Sequence, residues 1–386
     1  MSEPIYLDYQ ATTPLDPRVG AAMRPYLEER FGNPHSEHIY GWQTAEAVDD
    51  AASSVGQLIG AASGEIVFTS GATEANNLAI QGIARSDRCR GKHVVTTAIE
   101  HKSVLNTALS LRALGFTVDV VPVNRNGRVD LAAFKAALRD DTTLASVMMA
   151  NNEVGTVQPI AEIGSMCRQL GIAFHTDATQ AVGKLPIDVT ELNVDLLSLS
   201  GHKAYGPKGI GALYVSRHCP TPLEPLIVGG AQQHGLRAGT VPPFLCAGLG
   251  EACRIARAER EHDQVHSATL RDTFWSILSS RVPNAVINGD LNCRLPGNLN
   301  VLLPGSDADS LLASLQGEVA ASTGSACNAG LIEPSYVLLA LGLTLEETNS
   351  SIRFGFGRFT SVNDVERAAT LIADKANHFH AALAAS

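Results

Sequence analysis

The chain has 386 residues, 45% of them hydrophobic and 18% charged, with a formal net charge of -10. That length exceeds one compact core and predicts two domains, and the composition is that of a folded globular protein. The acidic balance, with no Lys/Arg block or aromatic-interleaved basic stripe, excludes direct nucleic-acid binding by phosphate neutralisation.

In chain order, Ile5-Tyr-Leu-Asp-Tyr-Gln-Ala-Thr-Thr-Pro14 reads as a short strand and a polar turn, and Asp16 caps a helix that starts at Pro17. Phe31-Gly-Asn-Pro-His-Ser36 is a loop, and helical spacing of Ala, Val and Leu predicts a helix over 41–59. Glu65-Ile-Val-Phe-Thr-Ser-Gly-Ala-Thr-Glu74 is a strand turning at Ser70-Gly71 into a helix, whose first N–H groups form an anion cradle with the Thr73 hydroxyl beside them. Thr73 also serves as an ordinary cap residue there. Strands and helices then alternate: strands at 92–97, 116–122, 145–150 and 171–177, helices at 100–114, 130–138 and 159–170. The apolar run Val194-Asp-Leu-Leu-Ser-Leu-Ser200 is a buried strand, and Gly211–Val215 a returning one.

This alternation predicts an α/β fold, an open and mostly parallel sheet between helices. Thr73, His101, Asn152, Asp177 and Lys203 all fall at or just past strand C-termini, the edge where such sheets bind ligands. Lys203 follows Gly201-His202 at the end of a buried strand. Partial desolvation there lowers an amine's pKa and makes it a nucleophile toward carbonyls. A lysine for a Schiff base, and an acid such as Asp177 for a pyridine nitrogen, are what a pyridoxal phosphate enzyme needs.

A Gly-rich loop, 228–240, precedes a helix from Pro242-Pro243 to about Glu259, where a long charged helix over 258–278 begins. The domain boundary is placed there: residues 14–258 as a large domain, 1–13 plus 259–386 as a smaller α+β domain closed by a helix over 362–383. No apolar run reaches membrane-spanning length and Met1-Ser-Glu-Pro4 lacks a signal-peptide pattern, which predicts a cytoplasmic protein. Seven cysteines (89, 167, 219, 246, 253, 293 and 327) are scattered with no Cys-x-x-Cys, so neither a disulfide framework nor a zinc site is expected, and no bound metal. Most should be buried, inert thiols. Cys327 stands apart in Ser322-Thr-Gly-Ser-Ala-Cys-Asn-Ala-Gly330, where small residues predict a mobile loop suited to a travelling nucleophile, or equally an idle surface thiol.

Taken together, these segments resemble the cysteine desulfurases of the NifS/IscS type, within the fold-type I, class V aminotransferase-like PLP enzymes. The resemblance runs from Leu7-Asp-Tyr-Gln-Ala-Thr-Thr-Pro14 through Phe31-Gly-Asn-Pro34, Phe68-Thr-Ser-Gly-Ala-Thr-Glu-Ala75 and Asn151-Asn-Glu-Val-Gly155. It continues through His175-Thr-Asp-Ala-Thr-Gln180, Ser200-Gly-His-Lys203, Gly235-Leu-Arg-Ala-Gly-Thr240, Gly324-Ser-Ala-Cys327, Glu333-Pro-Ser-Tyr336 and Ser350-Ser-Ile-Arg-Phe354. It implies that Lys203 holds pyridoxal 5'-phosphate as a Schiff base, Asp177 pairs with its ring nitrogen, His101 stacks on the ring and Gln180 bonds its phenolic oxygen. Ala72, Thr73, Ser200 and His202 would hold the phosphate, with Thr240 reaching in from the second subunit of a homodimer. Asn152 would touch ring or substrate, Asn33 the substrate, and Arg353 would clamp its carboxylate with two prongs.

The implied reaction converts L-cysteine to L-alanine, with Cys327 attacking the substrate sulfur and passing it from a persulfide to an acceptor protein; His101 is the expected acceptor of the thiol proton. The chain closes soon after its last helix, in Ala381-Ala-Leu-Ala-Ala-Ser386, where scaffold-docking housekeeping members carry a longer tail. That departure points toward a dedicated desulfurase, serving one iron–sulfur protein, tRNA thiolation or DNA phosphorothioation. A selenocysteine lyase shares the fold and tolerates loss of the cysteine; an aminotransferase would use Lys203, Asp177 and Arg353 but not Cys327.

Overall fold

The computed structural model describes residues 3–323 and 333–384. In chain order the strands are β1 (Ile5–Tyr6), β2 (Ile66–Thr69), β3 (His93–Thr97), β4 (Thr117–Val121), β5 (Thr142–Ser146), β6 (Ala173–Asp177), β7 (Leu196–Ser200), β8 (Gly211–Val215), β9 (Val286–Asn288), β10 (Asn298–Leu302), β11 (Val319–Ala320) and β12 (Ser351–Gly355). The helices are α1 (Pro17–Glu28), α2 (Ile39–Ile59), α3 (Ala72–Arg85), α4 (Lys102–Ser110), α5 (Leu131–Ala137), α6 (Ile160–Leu170), α7 (Pro243–Arg281), α8 (Ala308–Ser314), α9 (Tyr336–Ala340), α10 (Leu345–Asn349) and α11 (Val362–Ala384).

The main sheet has seven strands in the order β2-β8-β7-β6-β5-β3-β4. Contacts from β7 through β4 are parallel, whereas β8 runs antiparallel to both neighbours. This is the mixed, mostly parallel sheet expected from the alternation. Both faces are covered, so β3, β5, β6 and β7 are buried along their whole length and successive residues go to opposite cores, while the edge strand β4 leaves Thr117 and Val120 exposed. Val94, Leu144, Ala173 and Leu196 pack in the layer with α3 and α4. Their neighbours Val95, Ala145, Phe174 and Leu197 pack in the layer with α2, α6 and α7. Because β2 and β7 each run antiparallel to β8, they point the same way, and β2, β3, β5, β6 and β7 end on one edge of the sheet.

A third core gathers Ile5 and Leu7 with Leu270, Phe274 and Leu278 of α7, strands β10 and β12, and the inner face of α11. A three-stranded sheet, β12-β10-β9, lies here, and β1 pairs in parallel with β11. The two helices expected across residues 243–278 are one helix of 39 residues, α7. The charged stretch that begins near residue 258 continues the same helix, because no proline or glycine lies in its middle to break it. The strand expected over 145–150 is β5, and ends earlier, at Ser146. Among the described residues no helix is both long and apolar enough to cross a membrane.

Candidate active site

A cavity of about 580 Å³ opens at the shared C-terminal edge of the strands. Ala72, Thr73, His101, Asn152, Asp177, Gln180, Ser200, His202, Lys203 and Arg353 line it, together with Gln10, Ala11 and Thr12 from the N-terminal segment. Asn33 and Thr240 do not. Both are exposed, and the Asn33 side chain accepts from the His35 N–H within its own loop. Cys327 lies outside the described residues.

Each wall follows from a strand end. After β2 the chain turns at Gly71 into α3, whose N-terminus has no side-chain cap, so its first N–H groups are open to a ligand. The turn needs glycine at Gly211 on the neighbouring strand, where a Cβ would lie 2.8 Å from the Gly71 Cα. Asp177 closes β6. Its Oδ2 accepts from the Asn76 amide at 2.8 Å and its Oδ1 from the Thr179 N–H at 2.9 Å, which fixes the carboxylate. The same Asn76 amide donates to the Ser103 hydroxyl at 2.9 Å.

His101 is the N-cap of α4, and its Nδ1 accepts from the Ser103 N–H at 3.1 Å. Burial pushes its pKa down, with Lys203 and Lys102 acting the same way and Asp177 opposing them. A neutral ring with Nδ1 occupied carries its proton on Nε2, so His101 is poised to donate. Its expected role as acceptor of a thiol proton would require that arrangement to change. His202 bonds Thr12 Oγ1 through Nδ1 at 3.1 Å, and burial followed by Lys203, Lys208 and Lys184 takes its pKa down to about 4. It is a neutral ring near neutral pH.

Lys203 ends a tight turn after β7, and its ammonium donates to the carbonyls of Gln10 and, at 2.8 Å, Ala11. Gln180 donates to the same Gln10 carbonyl at 3.0 Å. Arg353, on β12, is buried; Nη2 meets Asp8 at 2.8 Å, Nη1 donates to the Asn152 carbonyl at 3.2 Å, and Nε is a buried donor with no partner among the described residues. Asp8, Gln10, Asn76 and Ser103 were absent from the candidates. Asp8 and Gln10 sit in the polar turn after the first strand, and only the long-range fold gives them their partners.

Two buried glutamates stand behind the pocket. Glu100 accepts from Thr97 at 2.6 Å and from the Met148 N–H at 2.9 Å through Oε1, while Oε2 has no partner among the described residues. Burial lifts its pKa to about 8, with Asp177 adding to the rise. Glu153 accepts from the Ser335 hydroxyl, and burial lifts it to about 7. A carboxyl whose folded pKa exceeds its unfolded value of 4.5 contributes stability present below that value, which is lost as pH rises through about 8. Glu100→Gln keeps the shape without the titration. Melting temperatures of that variant should therefore fall less steeply than those of the wild type between about pH 5 and 8, at a maximum difference of about 1.4 kcal/mol per pH unit. Equal slopes would mean that Glu100 is ionised in the fold.

The chain matches the family model described as Aminotransferase class-V over residues 5–368. It belongs to that family, in its cysteine desulfurase branch. A probable mitochondrial cysteine desulfurase of Dictyostelium discoideum is 50% identical over 365 residues, which is 94% of this chain and 81% of the relative. The cysteine desulfurase IscS of Rickettsia massiliae is 48% identical over 373 residues, 96% of this chain and 91% of the relative. Among solved structures, a NifS-like protein superposes with a TM-score of 0.90 at 33% identity, covering 96% of this chain and 98% of the other.

The desulfurase is a PLP-dependent enzyme, and its own residues fit that cofactor. An uncapped helix N-terminus with Thr73, Ser200 and His202 nearby suits a dianionic phosphate. Asp177, held by Asn76 and Thr179, suits a ring nitrogen, and Lys203 stands on the same cavity wall. Of the described cysteines, Cys167, Cys246 and Cys253 are buried, each with its pKa pushed up to about 12 by burial. Cys293 departs from the expected inert set: it is exposed, with the Arg128 guanidinium donating to its Sγ at 3.0 Å.

Proposed function

We propose that this chain converts L-cysteine to L-alanine with the pocket residues in the following roles. Lys203 holds the cofactor covalently, and Asp177 keeps a proton at its ring nitrogen. Ala72, Thr73, Ser200 and His202 seat the phosphate, Gln180 donates to the phenolic oxygen, and His101 covers the ring. When bound, the cofactor supplies an electron sink for the bond changes at the substrate's α-carbon. Arg353 receives the substrate carboxylate beside Asn152. The Cys327 thiolate attacks the substrate sulfur, so that a sulfur–sulfur bond forms as the carbon–sulfur bond breaks. The resulting persulfide is handed to an acceptor protein.

One observation carries the role of Cys327. Residues on either side of its segment are tied to the pocket. Ser322 exchanges backbone hydrogen bonds with Arg353, Ser335 bonds Glu153, and the Tyr336 hydroxyl donates to the Glu100 carbonyl at 2.5 Å. The described residues on either side of the segment thus contact Arg353 of the pocket and the glutamates behind it, which supports a role for Cys327 at the substrate.

The working unit is a homodimer in this reading. Thr240 and Asn33 are exposed and do not line the pocket of their own chain, which is compatible with the role proposed for Thr240 at a second copy's site. Leu27, Phe31, Ile39, Tyr40 and Trp42 leave large apolar side chains exposed around the turn from α1 to α2, beside Asn33. A patch of that kind suits a second copy. The division near residue 258 gains support from the separate cores around the main sheet and around β10 and β12. Free cysteines throughout the described residues fit a reducing cytoplasm. The test is single-turnover incubation with L-cysteine, followed by alanine assay and intact-mass measurement. One alanine and one added sulfur per chain are expected; absence of alanine would overturn the proposal.

A further inference from the structure

Lys184 takes no part in the roles above, yet it lies directly beneath them. It sits in the turn between β6 and β7, just after Gly183, whose positive φ of 75° allows the chain to press against α7. The Lys184 carbonyl accepts from Gln264 of α7 at 2.5 Å, which fixes its backbone. Its ammonium donates to Gln180 Oε1 at 3.3 Å. No carboxylate lies within 4 Å of that ammonium among the described residues.

The bond to Gln180 decides the orientation of the carboxamide. An ammonium has only donors, so the atom facing Lys184 must be the oxygen; a carbonyl only accepts, so the atom facing Gln10 must be the nitrogen. Lys184, Gln180, the Gln10 carbonyl and Lys203 thus form a continuous chain of hydrogen bonds. We propose that Lys184 is a positioning residue of the active site: its ammonium locks the Gln180 amide with Nε2 on the pocket side and sets a second positive charge near the Lys203 nitrogen. This rests on the roles proposed above for Gln180 and Lys203.

The electrostatics agree with the geometry. Burial, and after it the charge of Lys203, pushes the Lys184 pKa down to about 7. Repulsion is mutual, so a cationic Lys184 makes the Lys203 nitrogen harder to protonate. The other titratable or charged groups lining the cavity with Lys203 are Glu74, His101, Asp177, His202, Lys208 and Arg353. Around Lys184 they are Tyr9, Tyr205 and Asp263, the last engaged by Arg358 at 2.7 Å, together with His202 and Lys203, whose charges and that of Lys184 act on one another. None of these changes in the variants below.

The test is a spectroscopic pH titration of the holoenzyme without substrate, following the cofactor absorbance that reports proton loss from the Lys203 nitrogen. Lys184→Met removes the charge and the donor, Lys184→Gln is a second neutral variant, and Lys184→Arg keeps a charge that does not titrate. The neutral variants should shift the midpoint upward by roughly half a pH unit to one unit, and Lys184→Arg should leave it at or below the wild-type value. Melting curves identify any variant that fails to fold, and either neutral variant suffices. A midpoint that ignores residue 184, or moves down in the neutral variants, would overturn the inference. Lys203→Ala, run in parallel, separates the two layers. If it keeps the wild-type absorbance, the assignment of the pocket falls; if the absorbance depends on Lys203 but its midpoint ignores residue 184, only the role of Lys184 falls.

Discussion

Lys203→Ala should lower alanine formation from L-cysteine by a factor on the order of 10³ or more, and abolish the long-wavelength absorbance of the purified enzyme. In the proposed roles the amine is the covalent tether, and no other lysine has its position: Lys184 bonds Gln180 Oε1, and Lys208 lines the cavity from the following loop. Lys203→Arg should be as inactive, because a guanidinium stays protonated and does not attack a carbonyl. The loss should be chemical and not structural. The turn is held by its backbone, with Gly201 N–H bonded to the Ile210 carbonyl at 3.0 Å and Ala204 N–H to the Gly201 carbonyl at 2.9 Å. Melting of the alanine variant close to that of the wild-type apoenzyme would bear this out. Substantial residual turnover in either variant would remove Lys203 from its role.

Cys327→Ala should leave cofactor absorbance intact while alanine formation drops by a comparable factor, on the order of 10³, with no sulfur retained on the protein. The separation between cofactor loading and turnover is what distinguishes this residue from Lys203. Other thiols are poor substitutes. Cys167, Cys246 and Cys253 are buried and hard to ionise, and the exposed Cys293 is not among the cavity-lining residues. Alanine produced at the wild-type rate by the variant would place the enzyme with lyases that release sulfur without a protein thiol.

The sheet and its functional edge were legible because both come from local pattern. Buried strands alternating with amphipathic helices imply parallel strands, and parallel strands put their C-termini together. Asp177 and Lys203 could thus be placed on one edge before any contact was known. What escaped depends on partners far apart in sequence. Asp8 meets Arg353 and Gln10 meets Lys203 only through the fold, and nothing in a short polar turn announces such pairings. Glu100 looked like the charged opening of a helix, yet tertiary burial makes it one of the most enclosed acids of the chain. The roles of Asn33 and Thr240 came from the resemblance alone, and a single chain leaves both outside its cavity.

The placement of the first strand bears on how far the enzyme can be taken apart. β1 is paired with β11, 314 positions later (319 minus 5), and Leu7 accepts from the Gly355 N–H at 2.7 Å. From that mooring the chain crosses to the main sheet and presents the Gln10 and Ala11 carbonyls to Lys203. The residues proposed to seat the cofactor therefore follow the strands of the main sheet, while the strap across their floor is moored to β11 and β12. Residues 14–258 expressed alone would carry Lys203, Asp177 and the helix N-terminus but none of that strap. Modularity is expected to end at this point: cut at the proposed boundary, the pocket would lose the Gln10 and Ala11 carbonyls that meet Lys203.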